Sequence, residues 1–300
     1  MKIGLGIGGR TIAEAVANTQ EAEADGFSSA WFSNIFGLDA MTACAVAGAA
    51  TERIELGTFV VPTFPRHPHA MAQQASSTND AAGGRFCLGI GLSHQVVIEM
   101  MFGLSFASPA KHMEEYLAVL VPLLREGKVS HAGDVYKVNA NLEPNGAPNP
   151  PSIVVAALGP KMLQLTGATA DGTATWTTGV KTLADHIVPT ITKAAEAAGR
   201  PAPRIIAGLP VCVTEDPDAA RELAAKQFAV YGTLPSYRAM LDREGAANPG
   251  DIAIVGDEAA VADQVGALRD AGVTDFNAAP YGDAEQVART RTVLQDLAAG

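Results

Sequence analysis

Cysteine is scarce: Cys44, Cys87 and Cys212 are the only three in 300 residues, far apart and flanked by small or apolar neighbours. That spacing gives neither a disulfide framework nor a metal motif, and buried small hydrophobes in a reducing compartment is the plain reading. Positive charge is also short. A formal net charge of −11 without a local basic patch argues against nucleic acid or an anionic membrane as partner. No apolar run reaches the roughly 20 residues a bilayer span requires, and Lys2 leads into a glycine-punctuated strand rather than a signal-peptide core. Linkers and low-complexity segments are lacking too. The expectation is a cytoplasmic protein with a small-molecule partner, no nucleic acid and no membrane.

What is present is core-forming material, hydrophobic residues making up 48% of the chain, in a repeating order. Apolar runs at 2–8, 27–33, 54–61, 85–91, 151–157, 172–178, 204–213 and 273–279 read as eight strands. Helical periods lie between them at 11–24, 69–82, 111–125, 161–170, 183–198, 218–231, 258–271 and 284–298. Pro122 and Pro189 predict a kink or a later start in two of these. The segment from Gly127 to Pro151 reads as a short hairpin and a proline-rich approach to the fifth strand. Strands alternating with helices favour parallel pairing. A (β/α)8 TIM barrel over 1–300 as one domain satisfies every strand edge, with a doubly wound sheet as the alternative.

Gly4, Gly6 and Gly9 in "GLGIGG" match a dinucleotide fingerprint, but the acid expected near the end of the second strand is replaced by Ser33 and Asn34. Close packing or approach of a ligand explains these glycines as well. A second join, "LGPK" at Leu158 to Lys161, passes from strand to helix with Pro160 in the first turn. Such an end presents unpaired amides to an anion, Gly159 admits a ligand to the backbone, and Lys161 adds positive charge. A plain helix start with a solvated lysine is the other reading. In a parallel barrel Ser33, Asn34, Val60, Gly91 to His94, Leu158 to Lys161 and Trp176 to Gly179 converge on the carboxyl-end face.

The chain resembles the luciferase-like flavin and deazaflavin superfamily, most closely its coenzyme F420-dependent oxidoreductase branch. The resemblance covers nearly the whole chain. It rests on "AWFSNIFG", "IELGTFVVPTFPRHPHAMAQQASSTNDAAGGRFCLGIGLSH", "AALGPKMLQLTGATADG", "DIAIVGD" and "AGVTDFNA". It implies an eight-stranded α/β barrel with a bulge in strand three near Phe59 and Val60, where relatives carry a cis peptide without proline and the deazaflavin ring lies. It further implies a coenzyme phosphate at Gly159, Pro160 and Lys161. Leu92, Ser93 and His94 would line the ring or its side chain, and Ala156, Ala157 and Leu158 the ribityl chain. Sugar-phosphate dehydrogenases of the branch carry Asp-His after strand two and Glu after strand four. Here Asn34-Ile35 and His94 stand instead, which argues against alcohol oxidation.

The expected activity is hydride transfer from reduced F420 to an activated C=C, C=O or C=N bond, the protein supplying binding and orientation. His94 is the first candidate for general acid, or else a coenzyme contact. Asn34 is a candidate hydrogen-bond partner of coenzyme or substrate. The other histidines show no metal-ligand pattern, and Arg66 and His67 either meet an anionic coenzyme tail or sit in a solvated loop. Phe36, Phe64, Phe102, Tyr231 and Tyr237 either line an apolar pocket or pack in the core. An FMN-dependent monooxygenase and a non-catalytic flavin-binding barrel are the alternatives. Helices such as Asp39 to Ala50 would be exposed and offer a homodimer surface.

Overall fold

The computed structural model describes residues 1–300. Its strands are β1 (Lys2–Gly6), β2 (Ser29–Phe32), β3 (Glu55–Thr58), β4 (Val61–Pro62), β5 (Phe86–Gly91), β6 (Lys128–Ala132), β7 (Lys137–Asn141), β8 (Ser152–Val155), β9 (Gly172–Trp176), β10 (Arg204–Val213), β11 (Ile254–Gly256) and β12 (Asp275–Pro280). Strands β1, β2, β3, β5, β8, β9, β10 and β12 pair in that order, all parallel, and β12 returns to β1. The eight strands read from the sequence close into the expected barrel. No barrel strand is left with an unpaired edge.

Around it run α1 (Ile12–Ala24), α2 (Ala40–Ala49), α3 (Pro68–Ala81), α4 (Pro109–Glu126), α5 (Pro160–Thr169), α6 (Val180–Thr182), α7 (Val188–Ala197), α8 (Pro217–Gln227), α9 (Ala229–Thr233), α10 (Pro235–Glu244), α11 (Glu258–Asp270) and α12 (Ala284–Ala299). Side chains alternate across each strand, so the core splits in two. Outward residues such as Leu56, Leu88, Ile153 and Leu209 join one large cluster with the helices, while Trp31, Cys87, Val154, Ala174 and Ile206 form a small cluster inside the barrel. Gly57 makes the interior possible, because a side chain there would run into the Trp31 ring. The same holds for Gly4 against Ser29, so close packing accounts for that glycine of the N-terminal run.

Below this interior cluster, at the amino ends of the strands, the Arg204 guanidinium lies between Glu55 and Asp275. It bonds Glu55 Oε1 at 2.8 Å and Asp275 Oδ2 at 3.0 Å, and sits over the Trp31 ring at 5.7 Å. Burial opposes its charge, but the hydrogen bonds to both carboxylates outweigh it and hold its pKa above the ordinary value.

Residues 128–141 form the expected hairpin, antiparallel β6–β7. Glu115 of α4 fastens it, accepting from the backbone N–H groups of Asp134, Val135 and Tyr136 at 2.8–3.0 Å. Led by the Tyr136 amide, these bonds hold its carboxyl at about 2, well below the usual range.

Several helices depart from the sequence reading. The helix expected over 183–198 begins as α6, widens into a π-turn at Leu183–Ile187 and continues as α7. Pro189 has no N–H and its ring would crowd a carbonyl one turn back, and the wider turn relieves this. The helix expected over 218–231 breaks at Phe228, whose ring packs edge-on against Trp176 and Tyr281. Pro122, by contrast, sits within an unbroken α4. Finally α2 is not the exposed helix expected: Ala40, Met41, Ala43, Cys44, Ala47 and Gly48 are buried, leaving Val46 as its exposed large hydrophobe.

Candidate active site

Strand three carries the feature that shapes the barrel mouth. Gly57 pairs with Cys87 and Val61 with Ile90, so four steps along β3–β4 span three along β5. The surplus residue makes a bulge at Phe59–Val60, and the peptide joining these two is cis. Thr58 closes the bulge from below: its Oγ1 donates to the Gly89 carbonyl and accepts from the Gly89 N–H, both at 2.8 Å. Glycine is required opposite, since a side chain at Gly89 would run into the Thr58 carbonyl. At Gly91 a Cβ would lie 2.7 Å from Val60 Cγ2 and 3.2 Å from the Ala156 Cβ, so Val60, Gly91 and Ala156 share one patch.

Phe59 leans into the barrel, edge-on to Trp31 at 6.0 Å and to Trp176 at 6.5 Å. From Trp176 the aromatic contacts continue to Tyr231 at 6.0 Å, from Tyr231 to Tyr237 at 5.0 Å, and from Tyr237 to the His94 ring at 5.8 Å. This wall joins strands three, four and six to the α9–α10 segment. Burial raises the pKa of both tyrosine hydroxyls, keeping them protonated, and lowers that of His94, keeping its imidazole neutral at pH 7. Ser93 and Thr177, each just past a strand end, have φ of 60° and 45°, rare for side-chain-bearing residues and concentrated at functional sites.

The Leu158–Lys161 join lies at the same end. Gly159 is the N-cap of α5 without a side-chain cap, and the amides of Gly159, Lys161 and Met162 make no hydrogen bond within the protein. Nothing lies within 4 Å of the place a Gly159 Cβ would occupy. The neighbouring helix start is different. There Glu244 accepts from the amides of Lys181 and Thr182 at 3.1 and 2.7 Å, so its anion place is filled from within. Of the two adjoining helix starts, α5 is the open one.

Asn34 is half-buried after β2, its Oδ1 accepting from the Ala40 N–H at 3.0 Å, which leaves its amide donors for a ligand. Leu92, Ser93 and His94 follow β5, and Ala156, Ala157 and Leu158 follow β8 toward the open helix start. Arg66 is not free for a coenzyme tail, being paired with Asp39, and His67 caps α3. Phe64 stacks on His112 at 3.9 Å. Burial pushes His112 down to about 4. Phe36 and Phe102 are exposed. Sequence reasoning missed Thr58, Glu244 and His186, whose partners lie 31, 62–63 and 28 residues away along the chain.

A family profile described as luciferase-like monooxygenase matches residues 2–296. A 5,10-methylenetetrahydromethanopterin reductase of Methanolobus tindarius is 31% identical over 256 residues, covering 85% of this chain and 77% of that protein. A putative coenzyme F420-dependent oxidoreductase of Mycobacterium tuberculosis is 34% identical over 145 residues, 46% of this chain and 41% of that one. The coenzyme F420-dependent tetrahydromethanopterin reductase of Methanopyrus kandleri has the same fold, with a TM-score of 0.82 at 20% identity over 99% of this chain and 97% of that one. The match across nearly its whole length makes this chain an oxidoreductase of the luciferase-like monooxygenase family.

Proposed function

We propose that the protein is an F420-dependent reductase acting on an activated C=C, C=O or C=N bond of a small organic substrate. The observation that carries a phosphate-bearing flavin or deazaflavin is the uncapped start of α5, where three unpaired amides and Lys161 suit a phosphate, and the likeness to proteins named F420-dependent supports F420 over FMN. The patch of Val60, Gly91 and Ala156 offers an apolar surface on which a flat ring can rest, with Phe59 and Trp176 beside it. Ala157 and Leu158 link that patch to the phosphate seat, and Leu92, Ser93 and His94 border it from strand four. When bound, reduced F420 supplies a hydride. His94 and the Asn34 amide donors then hold the accepting group, and His94 delivers the proton.

The test is a fluorescence titration with oxidised F420, FMN and NADP in parallel. Saturable binding of F420 in preference to the others is expected, and Lys161→Glu is expected to weaken it about tenfold or more by placing negative charge at the seat. Unchanged affinity in the variant would remove the phosphate seat from the account. Preference for FMN, with oxygen-dependent product formation, would establish the monooxygenase reading that the family description favours. Binding of F420 without turnover of any enone or imine by its reduced form would leave a binding protein.

The lowered pKa of His94 gives the proton step a sign. Its acid form gains population only as pH falls below the ordinary value near 6.5, so kcat should rise with acidity. His94→Gln is expected to lower kcat more than coenzyme affinity and to flatten that profile. A loss confined to coenzyme affinity would make His94 a contact only.

A further inference from the structure

We propose that His186 is a positioning residue that aims the phosphate seat, an inference that rests on the seat assigned above. His186 is in the π-turn after α6, 92% buried, and its Nε2 lies 2.8 Å from the Leu158 carbonyl oxygen. A carbonyl only accepts, so Nε2 carries the proton and the bond is Nε2–H to oxygen. This is a bond between two parts of the chain that sequence does not bring together. It ties the helix after strand six to the loop after strand five.

The consequence follows from peptide geometry. In a planar trans peptide the C=O of one residue and the N–H of the next point in opposite directions. Holding the Leu158 carbonyl toward His186 therefore turns the Gly159 N–H the other way, toward the open start of α5. There it joins the Lys161 and Met162 amides, which likewise have no partner in the protein. Pro160, next in line, contributes no N–H, so Gly159 supplies the only early amide whose direction the loop must set. Glycine alone at 159 would leave that peptide free to turn. His186 removes the freedom without itself touching the ligand.

The role predicts a loss specific to phosphate. Affinities of the protein would be measured for FMN and riboflavin, which differ by the phosphate alone, and as a second pair for F420 and the ribityl deazaflavin lacking the phosphate and the tail attached through it. His186→Leu is expected to reduce the phosphate advantage about tenfold, the size of one directed hydrogen bond, while affinity for the phosphate-free partner of each pair stays within twofold. His186→Gln, whose amide can still donate, should restore most of the advantage. Thermal melting shows whether the variants are folded. Should His186→Leu fail to fold, His186→Asn, polar but too short to reach Leu158, replaces it.

An unchanged phosphate advantage in a folded variant would overturn the positioning role while leaving the seat intact. Equal loss for both members of a pair would also overturn it, marking a general structural role. A wild-type protein that gains nothing from the phosphate in either pair would overturn the seat, and this inference with it. Preference for FMN over F420 would overturn only the coenzyme assignment, because the FMN pair reads the same seat.

Discussion

Replacing Arg204 by leucine is expected to lower the unfolding free energy by roughly 3–5 kcal/mol, with coenzyme affinity unchanged. The arginine closes the floor of the barrel, where Asp275 is only 2% exposed and Glu55 approaches from the opposite strand. Leucine fills much of the space but leaves a carboxylate buried without its counter-charge. That desolvation outweighs anything recovered by apolar packing against Trp31. Urea unfolding of the wild type and variant gives the difference directly. Asp275→Asn should cost less in the leucine background than in the wild type, since the arginine it would abandon is already gone. A loss below 1 kcal/mol in Arg204→Leu would show that the floor is solvated and that the triad contributes little. Binding should be spared because the floor and the mouth lie at opposite ends of the strands.

The sequence made this architecture legible to different depths in different places. Barrel strands were readable because strands buried on both faces become continuous apolar runs, bounded here by glycine and polar residues. Strand β11 escaped notice, being three residues long and paired only with Val211, Cys212 and Val213 at the far end of β10. Helix α10 escaped as well, since Met240 and Leu241 are its only buried residues and two positions carry no period. Gly159, Pro160 and Lys161 could be proposed as a site from local chemistry alone, a strand-to-helix join with glycine, proline and lysine together. The hydrogen bonds that shape the mouth did not: Thr58 to Gly89, Glu244 to Lys181 and His186 to Leu158 are long-range. Each is made by a residue type with a commoner bland role, and only the closed barrel identifies its partner.

Thr58→Val tests whether the mouth's shape and its binding are one property. Valine matches threonine in volume, so no cavity opens, but both the N–H and the C=O of Gly89 lose their partner within a fully buried strand. Two unsatisfied groups at about 1–3 kcal/mol each put the cost at roughly 2–5 kcal/mol, readable by urea unfolding. The bulge has no other hydroxyl to replace them, because Phe59 and Val60 follow directly on Thr58. Val60 forms the proposed ring-bearing patch with Gly91 and Ala156, and Phe59 lies beside it, so coenzyme affinity should fall at least tenfold in the same variant. Thr58→Ser keeps the hydroxyl and should retain most of both properties. Substitution at Arg204 is expected to change stability alone and at Lys161 binding alone, whereas at Thr58 the two should change together, because the bulge closes the sheet and is also the proposed coenzyme surface. Full affinity in a destabilised Thr58→Val protein would separate the two and show that Phe59 and Val60 are held in place by the aromatic wall instead.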